Sequence, residues 1–415
     1  MANPSSPFMG ATGPPPPGTE SELEAHLHSK RMELNLGPSH PAMHGTVRMK
    51  VELEGETIVR ADPEIGFLHR GFQKSCENVT WTQCLPYTDR LNYVSALMNN
   101  FGFLKAVEKL IGLEIPERAQ FIRAIGCELH RIADHLTCVG AIGLELGGMS
   151  AFLYCIEARE LIVDRVTELT GARLTTTFGR VGGLNRDLPP QWLESVLKTL
   201  EKIEWLVGEV DTLLTNNRIF VDRMKGTGVI TAQDALDFGF TGPCLRACGV
   251  NYDVRKAHPY WVYDRLAFDV PLGRNGDNFD RYLMRIEEIK QSDSIVRQAI
   301  EMIKPGPVII DDWRITLPPK PEVYGTIEGV MAHFKLIMEG IQVPAGEVYD
   351  STEAANGELG WYLVSDGSGH PYKVHVRPPG FAILSGICRM VEGQLIGDLI
   401  PTFDTINMIG GEVEQ

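Results

Sequence analysis

Residues 117–146, ERAQFIRAIGCELHRIADHLTCVGAIGLEL, decide the fold of this chain. Large apolar side chains recur here at intervals of three and four positions, from Phe121 and Ile125 to Leu136 and Val139. That spacing places them along one face of an α-helix. The sequence therefore predicts one long amphipathic helix, which must bury its apolar face against other parts of the chain.

Four more segments show the same periodicity and can cover that apolar face. Long amphipathic helices with short connections are typical of antiparallel bundles, so the sequence predicts a helical bundle. The four segments are residues 99–111, 151–170, 191–214 and 280–303.

Two hairpins are predicted beside the bundle. Residues 46–60 alternate between apolar and charged side chains, and Gly55 supplies a turn. Residues 361–376 form a second hairpin around residues 366–369. Residues 226–275 are rich in glycine, proline and aromatic residues and are interpreted as an ordered loop region. The predicted fold class is α+β, predominantly α, with hairpins or small sheets flanking the bundle.

The composition excludes several classes of protein. The chain has 415 residues, 43% hydrophobic and 22% charged, which is typical of a globular protein. Its net charge of −15 argues against a general nucleic-acid binder. No run approaches the roughly 18 apolar residues of a membrane-spanning helix, and residues 1–20 lack the apolar core of a secretory signal. Residues 1–30, rich in proline near their middle, are predicted to be a disordered arm.

The eight cysteines show no pairing pattern. None belongs to a C-x-x-C pair, and the closest two, Cys244 and Cys248, match zinc, thioredoxin and iron–sulfur spacings poorly. Free thiols in a reducing compartment are therefore expected, and no metal site is predicted.

The segment GPSHPAMHG, residues 37–45, is the first candidate for chemistry. Its prolines and glycines restrict or bend the backbone around His40 and His44. One interpretation is a turn in which the histidines are incidental. The other is an imidazole positioned on a rigid loop, where a reference pKa of about 6.5 suits proton delivery near neutrality.

Tyr93 is the second candidate, at the end of residues 86–93, where a loop enters a helix. It is either a core tyrosine with a hydrogen-bonded hydroxyl group or a phenol that donates to a carbonyl group. The helix 117–146 also carries the polar residues Glu128, His130, Arg131, Asp134 and His135. These are interpreted as a solvated, ion-paired face beside the apolar stripe.

The order and spacing of these motifs resemble a known family. GPSHPAMHG, LPYTDRLNYVSALMNN (85–100), ARLTTTFGRVGG (172–183) and the terminal GEVEQ strongly resemble the 49 kDa-type (D) subunits of respiratory complex I, the proton-pumping NADH–quinone oxidoreductase. The resemblance runs from about residue 31 to the end of the chain.

This family is similar in fold to the large subunit of nickel–iron hydrogenases. The resemblance implies one domain over 31–415, with a β region over about 31–62, a helical core over about 63–305 and an α/β region over about 306–415. Hydrogenases hold their metal with two C-x-x-C pairs, which this chain lacks. A diverged membrane-bound hydrogenase and a non-catalytic scaffold are the alternatives.

The resemblance implies a quinone site and names its residues. His44 and Tyr93 would bind and protonate the quinone headgroup, and His40 and Phe403 would contribute to the pocket. Glu145 stands where the family has an aspartate that hydrogen-bonds the histidine, so it would orient His44.

Cofactors and partners follow from the same resemblance. The chain would bind no cofactor itself, because the iron–sulfur clusters and FMN belong to partner subunits. The B subunit of the complex would complete the quinone pocket, with the C and I subunits and the membrane-embedded H subunit nearby. The chain would be peripheral, on the cytoplasmic face of the bacterial inner membrane.

Overall fold

The computed structural model describes residues 31–415, so the predicted arm over residues 1–30 lies outside the described residues. The described part begins with an antiparallel sheet of three strands in the order β1 (Arg31–Leu36), β2 (Arg48–Glu54) and β3 (Thr57–Glu64). The predicted hairpin is confirmed as β2 and β3. Strand β1 was not predicted and lies at the edge of the sheet.

Helices form most of the described chain, and the fold is α+β with helices predominating, as predicted. The five predicted long helices are confirmed within three residues at each end. In chain order the helices are α1 (Phe72–Glu77), α2 (Leu85–Thr88), α3 (Ala96–Ile111), α4 (Glu117–Glu145), α5 (Met149–Thr170), α6 (Trp192–Leu214), α7 (Arg218–Met224), α8 (Ala232–Asp237), α9 (Gly242–Ala247), α10 (Val254–Ala257), α11 (Asn278–Met302), α12 (Lys320–Gly325), α13 (Ile327–Met338), α14 (Pro379–Ser385), α15 (Ile387–Val391), α16 (Ile396–Thr405) and α17 (Gly410–Val413).

Helix α4 lies at the centre of the bundle, in contact with α3, α5, α11 and α16. Its predicted apolar stripe is buried. Glycines allow the neighbouring helices to come close. A Cβ atom on Gly140 would lie 3.1 Å from the Cβ atom of Cys155 in α5, and one on Gly126 would lie 3.3 Å from Leu97 and Phe101 in α3. Helix α4 is therefore packed closely on several sides although it carries many polar side chains.

Two smaller β elements complete the architecture. A short ribbon pairs β4 (Gly179–Arg180) with β5 (Gly183–Leu184). The second predicted hairpin is confirmed as β7 (Gly357–Ser365) and β8 (Lys373–Arg377), and β6 (Gly346–Ala354) pairs with the outer side of β7. The predicted loop region 226–275 is only partly irregular, because α8, α9 and α10 lie within it.

The end of the chain packs against the first part of the described residues. Helix α16 contacts α4 and also the 3-10 turn Pro41–Met43 that follows β1. The last residues are buried, and the backbone carbonyl group of Glu414 lies 3.0 Å from the His69 ring. Among residues 31–415, no helix is both long and apolar enough to cross a membrane.

Candidate functional site

The turn over residues 40–44 presents His44 at the surface. The His40 side chain caps the 3-10 turn, where its Nδ1 accepts a hydrogen bond from the Ala42 N–H at 3.3 Å. Met43 is fully buried and anchors the turn. His44 ends the turn in the left-handed conformation, with a φ of 53°, and its side chain is 37% exposed. The structure thus gives the two histidines different tasks: His40 stabilises the turn, and His44 is presented by it.

A buried carboxylate lies behind the His44 imidazole. Nε2 of His44 is 3.6 Å from Oδ1 of Asp404, a residue near the end of α16 with no exposed side-chain surface. Neither oxygen of Asp404 has a hydrogen-bond partner within the described part of the chain. The Asp404 carboxylate raises the pKa of His44, and burial raises the pKa of Asp404 itself, while His44 opposes that rise. The pair therefore favours a protonated imidazole.

Phe403 supports the same histidine. Its ring meets the His44 ring edge-on, with 5.5 Å between the centroids. Phe403 has no exposed surface, so the structure places it behind His44 rather than on an open pocket wall. The contribution of Phe403 to the quinone pocket stays a prediction, and its contact within the described chain is with His44.

Glu145 does not occupy the position predicted for it. It is the last residue of α4 and is exposed, and no hydrogen bond joins it to His44 among residues 31–415. Its partial burial and the charge of Asp404 raise the pKa of Glu145, and His44 lowers it. Glu145 therefore interacts with His44 and Asp404 electrostatically and not through a hydrogen bond. The predicted Glu145–His44 hydrogen bond is wrong in this structure, because α16 places Asp404 beside the imidazole.

Tyr93 lies on a separate turn. Asn92 caps this turn, because its Oδ1 accepts hydrogen bonds from the backbone N–H groups of Val94 and Ser95 at 3.1 and 3.4 Å. Tyr93 is 38% exposed, and its hydroxyl group makes no hydrogen bond within residues 31–415. The interpretation as a satisfied core tyrosine is therefore wrong. Partial burial and the charge of Asp134 raise the pKa of Tyr93, and the charge of Arg70 opposes that rise. The phenol is therefore protonated at neutral pH.

The polar residues of α4 are not a solvated face, and that interpretation is wrong. Glu128, His130, Arg131, Asp134 and His135 are all buried. Helix α11 and the segment around α9 and α10 supply most of the partners of Glu128 and His135, whereas Asp134 bonds to Asn92 and Asn407. The main contacts are those of Glu128 with Arg131, Arg255, Tyr263 and Ser292, and those of Glu288 with His135 and Arg246.

Asp404 was not among the predicted site residues, although Phe403, the residue before it, was. The available signal was the position of Asp404 beside Phe403 in the largely apolar segment LIGDLIPTFDTI, residues 395–406, where a buried carboxylate needs a partner. Metal ligands show no comparable grouping: within residues 31–415, no three His, Cys, Asp or Glu side chains are placed to hold a metal ion.

Comparisons with known proteins identify the class. The family described as "Respiratory-chain NADH dehydrogenase, 49 Kd subunit" matches residues 145–415. The chain is 74% identical over 396 residues to the D subunit of NADH-quinone oxidoreductase from Myxococcus xanthus (strain DK1622), covering 95% of each chain. It is 63% identical to the D subunit numbered 2 of NADH-quinone oxidoreductase from Anaeromyxobacter sp. (strain Fw109-5), covering 95% of this chain and 92% of that protein.

A third relative has a longer chain. The C/D subunit of NADH-quinone oxidoreductase from Bdellovibrio bacteriovorus is 49% identical, over 96% of this chain and 71% of that protein. The chain therefore belongs to the family of 49 kDa subunits of respiratory-chain NADH dehydrogenase, as a D subunit of the NADH-quinone oxidoreductase type. It is thus a component of an oxidoreductase complex, and the predicted family membership is confirmed.

Proposed function

We propose that this chain forms one wall of a quinone-reduction site, in which His44 and Tyr93 bind and protonate the headgroup. One observation carries the proposal: both side chains are more than a third exposed, and each lies in surroundings that raise its pKa and so favour its protonated form. His44 is backed by the buried Asp404, and the Tyr93 hydroxyl group is free of partners within residues 31–415. Exposure of 37% and 38% in the single chain supports a site that a second subunit completes.

In this proposal the chain supplies protons to the quinone, and a neighbouring subunit supplies the electrons. Reduction of a quinone to a quinol takes up two electrons and two protons. Tyr93 would hydrogen-bond one carbonyl oxygen and donate its proton as negative charge develops there. His44 would serve the other carbonyl oxygen directly or through a water molecule, with Asp404 holding the imidazole in place. The electrons would come from an iron–sulfur cluster on a neighbouring subunit.

Proton loss would also change the charge balance at this site. A neutral His44 would leave Asp404 without its counter-charge, close to the like charge of Glu145. That imbalance could bias a two-state loop and begin the coupling to proton pumping.

The proposed partners are other subunits of the same complex. The B subunit would carry the cluster and the opposite wall of the pocket, and the membrane-embedded H subunit would admit the quinone. The relative named as a C/D subunit supports the C subunit as a neighbour, because a single chain holds its two parts together. The I subunit is proposed from the family resemblance. The chain would then lie peripherally on the cytoplasmic face of the membrane.

The alternatives differ in what His44 and Tyr93 do. A pure scaffold needs neither side chain for turnover, only for assembly. A hydrogenase needs a thiolate-ligated metal, and no observation on residues 31–415 favours that interpretation. The quinone site is therefore the function that the geometry supports best.

Photolabelling of the assembled complex tests this proposal directly. A quinone with a photoreactive group on its headgroup is expected to label peptides that contain His44 or Tyr93, because these residues would contact the headgroup. Excess unlabelled quinone should abolish the labelling, as read by peptide mass spectrometry. A probe with the same group at the end of its tail is the matched control and should label other chains. Headgroup labelling confined to other subunits would contradict the proposal.

An Asp404→Asn variant is expected to shift the pH profile of quinone turnover. Asp404 raises the pKa of His44, so the protonated imidazole persists to higher pH and is lost as the pH rises through that pKa. Without the carboxylate this pKa falls, and turnover should decline at a lower pH on the alkaline side. The measurement is turnover against pH from 5 to 9.

Glu145→Gln is the control for that shift. Glu145 also faces His44, but it acts on the imidazole only at a distance. It should therefore move the profile in the same direction by less. An unchanged profile in Asp404→Asn, or a larger shift in Glu145→Gln, would show that Asp404 does not control the imidazole.

A further inference from the structure

One buried carboxylate connects the two halves of the proposed site. Asp134 lies in the middle of α4 and has no exposed surface. Its Oδ2 accepts a hydrogen bond from the Asn92 amide at 2.8 Å, and its Oδ1 accepts one from the Asn407 amide at 2.7 Å. The two oxygens thus bind two segments that are far apart in the chain.

The first of these segments carries Tyr93. Asn92 directly precedes Tyr93, and its side chain both caps the Tyr93 turn through Oδ1 and donates to Asp134 through Nδ2. The Asn92 carbonyl group is also fixed, because it accepts from the Asn99 amide at 2.9 Å. Asp134 therefore fixes the side chain that shapes the Tyr93 turn.

The second segment carries the partner of His44. The backbone N–H of Asn407 donates to the Asp404 carbonyl oxygen at 3.0 Å, and Asn407 has a left-handed φ of 52°. Its side chain also lies 2.8 Å from Oδ1 of Asn356, so its position is held from two sides. Displacing Asn407 would move these contacts together.

We propose that Asp134 is a positioning residue that sets the spacing between Tyr93 and the His44–Asp404 pair. This inference rests on the proposed quinone site. A carboxylate suits the task because it only accepts hydrogen bonds, and both of its partners are amide donors. With asparagine at position 134, the new NH2 group would face the NH2 group of Asn92 or of Asn407. Two donors cannot bond to each other, so a buried polar group would be left unpaired.

Exchanging the side chains of residues 92 and 134, singly and together, tests this role in the assembled complex. Asp134→Asn is expected to lower quinone turnover by about 10- to 100-fold, because small displacements of reacting groups cost rate steeply. Asn92→Asp is expected to be at least as damaging, since it would bury two facing carboxylates. The double variant Asn92→Asp/Asp134→Asn should recover turnover to within about 3-fold of the wild type, or roughly 0.7 kcal/mol at 1.4 kcal/mol per tenfold.

Recovery is expected because the swap restores the pairing. The new carboxylate at position 92 keeps the cap and accepts from the new amide at position 134, whose oxygen still accepts from Asn407. A general loss of stability would instead make the double variant no better than the worse single variant. That result would overturn the inference, as would wild-type turnover in Asp134→Asn.

Two further measurements separate this inference from the function on which it rests. NADH oxidation with an artificial acceptor that bypasses the quinone should stay intact in all three variants, and its loss would show a failure of assembly that contradicts a local positioning role. A Tyr93→Phe variant is measured alongside. If Tyr93→Phe has no effect, the proposed function fails; if it is impaired while Asp134→Asn is not, only the positioning role fails.

Discussion

A Tyr93→Phe variant is expected to lose quinone turnover by about 10²- to 10⁴-fold, the range that a positioned general acid contributes. Phenylalanine keeps the ring, the turn and the partial burial of Tyr93 and removes one hydroxyl group. Because that hydroxyl group bonds to nothing within residues 31–415, its removal leaves no buried polar atom unpaired. The loss should therefore fall on the chemistry and not on folding.

The protonation state of Tyr93 is that of a proton donor. Burial and the negative charge of Asp134 raise the Tyr93 pKa, so the phenol carries its proton throughout the neutral range. It is thus a donor ready at every turnover. A phenylalanine would leave water as the only proton source on that side of the headgroup.

Tyr87→Phe is the matched control for this prediction. Tyr87 lies in α2, is also 38% exposed and is outside the proposed site. The measurement is NADH oxidation by the assembled complex with quinone, compared with an artificial acceptor that bypasses the quinone. Tyr87→Phe should keep both activities, and Tyr93→Phe should lose only the first. Equal quinone turnover in the two variants would remove Tyr93 from the proposed mechanism.

The sequence was sufficient to predict the helices and strands whose apolar residues recur at a regular spacing. Helix α4 and the four other long helices were predicted because their apolar residues recur every three or four positions. The two hairpins were predicted because alternation and turn-forming residues coincide. Strand β1 lacked that signal, since it is an edge strand with little buried surface. The sequence therefore predicted the bundle but only two strands of each three-stranded sheet.

The site was predicted less well, because it depends on contacts between distant segments. His44 and Tyr93 could be named from their motifs, and the structure exposes both of them. The carboxylate beside His44 could not be named, because Asp404 reaches it only through the packing of α16 on the Pro41–Met43 turn. The polar residues of α4 were misread for a related reason. Spacing shows which residues share a helix face, but not whether another helix covers that face.

The second large effect is expected on stability, from the buried polar residues of α4. A Glu128→Gln variant is expected to destabilise the chain by about 3–5 kcal/mol, the usual cost of removing one partner from a buried ion pair. Glu128 is fully buried and accepts hydrogen bonds from Arg131 and Arg255 at 3.1 Å and from Tyr263 and Ser292 at 2.7 Å. Glutamine has nearly the same shape, but its amide group would face these donors and leave two buried guanidinium groups less compensated.

The protonation of Glu128 gives this prediction a pH signature. Burial alone would raise its pKa, but the charges of Arg131 and Arg255 outweigh that effect and lower the pKa to about 2. A lowered pKa means that the carboxylate stabilises the fold above its ordinary pKa of 4.5, and that this stabilisation is lost as the pH falls towards 2. At neutral pH the wild type has the full contribution, and Glu128→Gln should lack it.

A surface ion pair provides the control that separates burial from charge. Glu194 pairs with Lys198 at 2.7 Å on α6, where both side chains are largely exposed. Glu194→Gln makes the same chemical change and should leave stability unchanged within error, because exposed pairs gain little from their attraction. The measurement is resistance of the assembled complex to proteolysis in increasing urea at pH 7. If Glu128→Gln is as resistant as Glu194→Gln, the buried network does not stabilise the bundle, and α4 is held by its apolar stripe alone.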